Sequence, residues 1–571
     1  MERLKRRQFF GEILSLNNNK PAGEEADPVA ARYVNHELPQ GLERPASGLN
    51  PYSGTWSRAE VIHLLRRTVF GVTPGDIPSL LAMTPIQAVD FLLNNIPSAP
   101  SPPVNNYNTS SYTDPTGVLP GDPWVNAPYG DGTVNGKREN SFKSWWLGQM
   151  LNQNLSILEK MVFFWHNHFA TEVAGVGDAR YSYLHNTLLR SMALGNFKTL
   201  VRQITTDPAM LKYLNGYVNT KTAPDENYGR ELQELFTIGK GNNPNYTEDD
   251  VKAAAHLLTG WRIDSVNIVS WFDATKHDTA NKQFSPFYGN TLITGQAGSA
   301  GAGETDQLID MIFSKQEAAL FICRKIYRFF VYYLIDATVD ANVILPLAQV
   351  LISSNFEIKP VLSALLKSEH FFDPLSRGCY ITTPLDHLAG TFKTFGVTIP
   401  SSLPVEKTYA LWNYVRGYGS ALALDLGDPP NVAGYPAFYQ EPGYYETWIN
   451  SSTLPKRMAF TDMMLSSGFS AGTGTTVKID VLAFTLQYAN AGDPDLLVSY
   501  FVELLLGLGV SASWHDSLKS ILLSGQTNNA YWTDAWLAYV ANPTPANINI
   551  VKPRLTSLLT EITRLAERQL C

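Results

Sequence analysis

AALFICRKIYRFFVYYLI, residues 318–335, is the most apolar stretch of the chain. Whether it crosses a membrane or lies in a folded core sets everything else about the architecture. A spanning helix needs about 18 or more consecutive apolar residues. Arg324, Lys325 and Arg328 interrupt this stretch, and no uninterrupted run of that length occurs elsewhere. It is therefore expected to be a core helix of a globular protein. The composition agrees: 44% hydrophobic and 17% charged residues over 571 positions supply enough apolar surface for a real core. That length suits one very large domain or several ordinary ones. A net charge of −8 argues against a nucleic-acid interface, which needs a basic face.

Working outward, helix signals dominate. Ser57 and Glu60 have capping-box spacing, with Trp56 and Val61 placed as a hydrophobic staple, and a helix should run from there through HLLRRTVFG to Gly71. A second should open at Thr84-Pro85. Residues 97–140, rich in Pro, Gly, Asn, Ser and Asp, are expected to form a long loop, of the kind that is usually functional. Further helices are expected over 141–153, 155–172, 178–193 and 196–205, after Asp207-Pro208, from Asp225, and from Thr247 to Gly260. VNIVSWFD and KQFSPFYG, between 262 and 303, carry the aromatic and β-branched residues of a small hairpin. From Glu304 helices resume to about 396, and again from 453, with the Pro/Gly-rich GDPPNVAGYPAFYQEPGYYETW between. The expected class is mainly α: a large multi-helix globular domain with a small β-hairpin insertion and long Pro/Gly-rich loops. Three regions are expected: an extended arm over 1–55, a main helical domain over 56–400, and a C-terminal helical region over 401–571 packed on it.

Cys323, Cys379 and Cys571 include no C-x-x-C pair, so a cysteine zinc site is not expected. Buried or terminal thiols are the simpler reading, with a disulfide between two of them the other. At the N-terminus, Arg6-Arg7-x-Phe9 resembles the start of a twin-arginine export signal. GEILSL is followed at once by Asn17-Asn18-Asn19-Lys20, so the apolar segment of a working signal is missing. The arm is then a vestigial signal or a basic amphipathic segment, and a partner that carries the signal is one route by which the protein could be exported.

Three groupings carry polar chemistry. The first is FFWHNHFATE, 163–172. On a helix, at about 100° per residue, His166 and His168 diverge and cannot grip one ion. His168 and Glu172 are then i,i+4 neighbours on the apolar face, either as a hydrogen-bonded core pair or as metal ligands or an acid/base pair. If the segment is extended, His166 and His168 return to one side as a clamp. The second is APDENYGRELQELFTIG, 223–239. Asn227, Arg230, Glu231 and Glu234 form a polar stripe beside Tyr228, Leu232, Leu235 and Phe236. Burial would raise the Glu231 carboxyl while Arg230 lowers that of Glu234, which suits acid/base work or a hard divalent cation. The plainer reading is an Arg230–Glu234 i,i+4 pair on a solvated face. The third is TKHDTANK, 275–282, which places His277, Asp278 and Lys282 in a loop where functional groups are often found. The simpler role for Asp278 is to orient a backbone turn. No G-x-S-x-G elbow, Walker loop, dinucleotide fingerprint or H-E-x-x-H motif occurs.

These blocks carry a resemblance. HLLRRTVFG (63–71), FWHNHF (164–169), DPAMLKYLNG (207–216), ENYGRELQELFTIG (226–239), YTEDDVKAAAHLLTGW (246–261), His277-Asp278 with Lys282, CRKIYRFFV (323–331), PLDHLAG (384–390) and GDPPNVAGYP (427–436) occur in one order. In that order the chain resembles the bacterial family catalogued as domain of unknown function eighteen hundred. The resemblance covers nearly the whole chain after the arm. His256 stands where the family usually has arginine, and Tyr435 where it usually has tryptophan. The resemblance carries over no settled activity. It implies an exported or envelope location, against a cytoplasmic one, and a sulfatase-like partner of the alkaline-phosphatase superfamily.

Two functions compete on these readings. One is an envelope-associated hydrolase or lyase with its site between helices 155–172 and 226–239. Glu231 and Glu234 would be acid/base groups or ligands, Arg230 an anion clamp and Asn227 an orienting group, with His277 and Asp278 as further catalytic candidates. His168, Glu172 and His166 would hold a divalent metal, and loop 97–140 would form a substrate wall. The other is a non-catalytic helical scaffold that binds the sulfatase-like partner, its polar groups forming a buried network that fixes helix packing.

Overall fold

The structure, a computed structural model, describes residues 46–241, 245–441 and 443–571. The twin-arginine-like start and most of the N-terminal arm lie outside the described residues. The architecture is mainly α, with two small two-stranded antiparallel sheets. Among the described residues no helix is long and apolar enough to cross a membrane. Helix α1, Arg58–Thr68, starts with the expected Ser57/Glu60 capping box. Helix α2, Gly132–Asn152, begins nine residues before the expected 141, because the Asp131 side chain accepts from Thr133 and Val134 N–H. The loop before α2 is anchored rather than loose: buried Arg138 pairs with Asp114 at 3.1 Å and also bonds Tyr107 and Thr116.

Helix α3, Leu158–His168, is the centre of the fold, with all eleven residues buried. It ends four residues before the expected 172. The Phe169 N–H still bonds Trp165 O, but Phe169 leaves helical backbone, and Val173 N–H bonds Gly427 O at 3.0 Å instead. The ring of Trp165 stacks on Phe169 and Phe197, and α3 packs against α4, Ala179–Ser191. The core helix expected from the apolar stretch is α8, Gln316–Phe330, whose buried face includes Ala319, Ile322, Cys323, Ile326 and Phe330. Between α4 and α8 lie α5 (Asn227–Glu231), which continues into a π-helical turn over Leu232–Thr237, then α6 (Glu248–Leu257) and α7 (Glu304–Phe313). After α8 come α9 (Pro384–Thr394), α10 (Val405–Ala421), which packs along α2, α11 (Thr453–Leu465) and α12 (Pro494–Leu506). The three cysteines are buried thiols.

The sequence blocks that carry the resemblance pack on one another. Gly71 of HLLRRTVFG lies against Gly390 of PLDHLAG so closely that a Cβ at Gly71 would sit 2.6 Å from the Gly390 Cα. Gly434 of GDPPNVAGYP, at φ +92°, leaves no room for a Cβ beside Asn167 of FWHNHF, and Asn167 Oδ1 accepts from Tyr435 N–H at 2.9 Å. Such close backbone approach is what glycine permits.

The β element differs from expectation. VNIVSWFD and KQFSPFYG do not pair. Strand β1, Trp261–Asp264, pairs with β2, Val269–Phe272, in the register Arg262↔Trp271 and Asp264↔Val269. Strand β3, Lys282–Gln283, pairs with β4, Leu292–Ile293. The first turn is made by Asp264, whose side chain accepts from Val266 and Asn267 N–H. This Asx-type turn puts the first strand in WRID.

Candidate functional site

The first grouping is divided by the helix end. His168 is 1% exposed and sits among Phe164, Phe169, Phe197, Phe236 and Phe321. Its Nε2 donates to Phe236 O at 3.0 Å, since a carbonyl can only accept, and its Nδ1 has no partner among the described residues. The ring is therefore neutral. Burial, with Lys325 adding to it, holds its pKa well below the ordinary value. His166 points elsewhere, to Trp146 and His185. Burial and then His185 push its pKa down to about 3, against a Thr171 main-chain bond. Glu172 lies beyond the helix, so it does not share a helical face with His168, and no hydrogen bond joins them among the described residues. His166, His168 and Glu172 do not converge, and the described residues hold no group of three or more His, Cys, Asp or Glu side chains that could hold a metal ion.

Glu172 instead faces Tyr213. A Cβ added at Gly175 would sit 3.2 Å from the Glu172 carboxylate and 3.0 Å from the Tyr213 ring. Burial, then Glu172, Asp428 and Glu231, push the Tyr213 hydroxyl up to about 12. Tyr213 thus feels Glu172, Asp428 and Glu231 together, and neither Tyr213 nor Asp428 was among the candidates read from the sequence. Glu231 is raised first by burial and then by Glu234, against Arg230 and Lys240.

The expected Arg230–Glu234 pair is absent among the described residues. Arg230 is taken by Glu226 at 3.0 Å and Glu248 at 2.8 Å, and Glu234 by Lys240 at 2.8 Å. That leaves Glu231 and Glu172 without an ion pair there. The π-helical turn over Leu232–Thr237 displaces Glu234 from the position that a regular helix would give it. Asn227 is exposed, and its N–H bonds Asp225 Oδ1.

The third grouping is a buried charge network centred on Glu304, which the sequence reading did not include. Glu304 Oε1 accepts from Gln296 N–H at 2.6 Å and lies 3.1 Å from His277 Nε2, while Oε2 accepts from Lys282 Nζ at 2.6 Å. His277, Lys282 and Glu304 are 1%, 3% and 0% exposed. His277 Nδ1 donates to Thr259 O at 2.9 Å. Asp278 pairs with His256 at 2.5 Å and accepts from Ala280 N–H. Burial works to raise its carboxyl, yet the Ala280 bond, His256 and Lys282 together hold it below the ordinary range. Asp278 does orient a turn, as the simpler reading had it. His256, the departure from the family pattern, provides its partner.

The β1–β2 hairpin presents a different surface. Val266, Val269 and Trp271 are 82%, 49% and 47% exposed. Val269 and Trp271 alternate along one strand and so share a face. Ile268, between them and the turn, has φ +59°, and its side chain is buried with Val176, Tyr181 and Ala209. A β-branched residue in that region is a strained outlier of about 1–3 kcal/mol. Arg180, paired with Asp178, bonds Ser265 O at 3.2 Å and fixes the turn from behind.

A family model described as Protein of unknown function (DUF1800) matches residues 63–546. No curated protein and no solved structure matches the chain. The match covers most of the chain and includes every block of the resemblance, so the protein belongs to the DUF1800 family.

Proposed function

We propose that this member of the family is a helical scaffold that docks a partner protein through the β1–β2 hairpin. The observation that carries the reading is the strained Ile268, anchored in a small apolar cluster, which holds Val266, Val269 and Trp271 out to solvent. Strain of this kind persists where a fixed shape is used, and adjacent exposed apolar side chains mark interaction surfaces. The polar groups fit the same reading. His168 and His277 are spent on Phe236 O, Thr259 O and Glu304, which tie helices and loops together. The partner that the family resemblance implies is the sulfatase-like protein, in the cell envelope. Binding of the purified full-length chain to immobilised sulfatase-like protein tests this. Val269→Asp is expected to abolish capture, and capture unchanged by it would refute the hairpin as the contact.

A second reading is favoured by one observation: Glu231 is half-buried, raised in pKa and without an ion pair among the described residues, and its charge, like that of Glu172, acts on Tyr213. A half-buried carboxyl whose pKa is raised suits the general-acid role in hydrolases and lyases. On that reading Glu231 is the acid and Glu172 the base. Turnover of an ester or glycan substrate by the purified chain, lost in Glu231→Gln, would establish it.

A further inference from the structure

A second polar centre lies far along the chain from these groups, where α1, α9, α11, α12 and the terminal 3₁₀ turn Ala566–Gln569 meet. A cavity of about 30 Å³ there is lined by Arg66, Thr382, Asp386, Thr394, Arg568 and Cys571, among others. Its surroundings carry an excess of positive charge. Arg67, Arg457 and Arg568 are 3%, 0% and 7% exposed, and Arg66 is half-buried at the cavity wall. The one carboxylate lining the cavity, Asp386, is already paired with Lys160. Arg66 and Arg568 line the cavity, and Arg67 and Arg457, which do not, bond its lining residues Cys571 and Thr382, so four arginines and Lys160 gather about one side-chain carboxylate.

Main-chain and hydroxyl oxygens satisfy part of the set. Arg66 Nη1 donates to Leu570 O at 2.7 Å, Arg67 Nη2 to Ser376 O and Cys571 O at 2.9 Å each, and Arg457 Nη2 to Thr382 O at 2.8 Å. Arg66 Nη2 also donates to Leu505 O, and Arg457 Nη1 to Thr382 Oγ1 and Gln569 Oε1. Nε and Nη1 of Arg67, Nε of Arg457 and Nε of Arg568 have no partner among the described residues. Unpaired buried cations are among the costliest groups in a folded protein. Burial, with neighbouring arginines adding to it at Arg66 and Arg568, pushes Arg66 down to about 10 and Arg457 and Arg568 to about 9. By the measure that needs about 10–15 Å³ per water, the cavity has room for a few atoms and none for a nucleotide or sugar.

We propose that this cavity is a binding site for a small tetrahedral oxyanion, inorganic phosphate or sulfate, held by Arg568 with the charge of Arg66 beside it. Guanidinium forks match such oxygens in geometry as well as charge. The site is independent of the partner-docking hairpin and of Glu172 and Glu231.

Equilibrium dialysis of radiolabelled inorganic phosphate against the full chain, at constant ionic strength set with chloride, tests it. Saturable binding of one phosphate per chain is expected, with competition by unlabelled sulfate distinguishing the two anions: strong displacement assigns sulfate, weak displacement phosphate. Arg568→Gln should weaken binding roughly tenfold to a hundredfold, the effect of losing charge-assisted hydrogen bonds. Arg58→Gln, which removes a cation paired with Glu503 outside the cavity, should leave it unchanged. Arg568→Lys keeps the charge and serves if the glutamine variant does not fold. Binding that does not saturate, that chloride displaces equally, or that both Arg568 variants retain in full would overturn the proposal.

Discussion

His168 Nε2 lies 3.0 Å from the carbonyl oxygen of Phe236, a bond that ties the end of the central helix α3 to the π-helical turn. It joins the two blocks between which the sequence placed a site, and it does so with a neutral, enclosed ring. His168→Phe removes the donor and leaves Phe236 O unsatisfied, so a loss of about 1–3 kcal/mol is expected in denaturant unfolding. Added zinc should not alter the unfolding of either protein.

The same burial predicts a pH dependence. His63, His166, His168 and His387 all have folded pKa values below the ordinary 6.5. The unfolded chain therefore binds more protons than the folded one below about 6.5. Stability from these groups is complete above that value and is lost as pH falls, down to about 3 for His166. Denaturation midpoints between pH 7.5 and 5 should fall with acid, and less steeply in His168→Phe. A flat profile would contradict the neutral assignment.

Glu304 is the counter-ion of buried Lys282 and a neighbour of His277. Glu304→Gln strands a buried ammonium and is expected to cost about 3–5 kcal/mol. Lys282→Met added to it should restore part of that loss. A double-mutant cycle with no coupling would mean that the network is not energetically linked.

Gly434 sits at φ +92° with its missing Cβ 2.5 Å from both Asn167 O and Oδ1. Gly434→Ala combines a disfavoured backbone with a main-chain clash, so at least about 1–3 kcal/mol should be lost. Asn167→Ala would relieve only the side-chain contact and should not rescue it. Thermal unfolding of the single and double variants checks this.

Glu231 has a raised carboxyl, so its ionised form is disfavoured in the folded chain. The sign follows: stability from this group declines as pH rises through its folded pKa and the charge appears. Glu231→Gln should therefore be slightly more stable than the parent at pH 7 and equal to it at pH 3. A large destabilisation at pH 7 would mean that the ionised carboxylate makes a favourable contact in solution.

Helix starts were legible because caps are local. The boxes Ser57/Glu60 and Thr247/Asp250 need only four residues of sequence, and both form. The end of α3 was not legible. Ala170-Thr171-Glu172 contains no breaker, yet Phe169 leaves helical backbone and Val173 N–H bonds Gly427 O, more than 250 residues away. The early helix end separates His168 from Glu172. Glu304 escaped for a related reason: it reads as the start of a helix, and only folding brings it to His277 and Lys282 across a long loop. The hairpin was recognisable by composition but not by register, since its turn relies on Asp264 and a strained Ile268 in place of the usual glycine. Tyr213 and Asp428 escaped because they reach Glu172 from distant segments of the chain.

The most direct test of partner docking is light scattering on a size-exclusion column, with the full chain mixed with purified sulfatase-like protein. Trp271 is exposed, so Trp271→Asp should change stability by no more than about 0.5 kcal/mol. The predicted result is a stoichiometric complex with the parent chain and with Glu231→Gln, and none with Trp271→Asp. No complex with the parent chain, or a complex that Trp271→Asp leaves intact, would contradict the account.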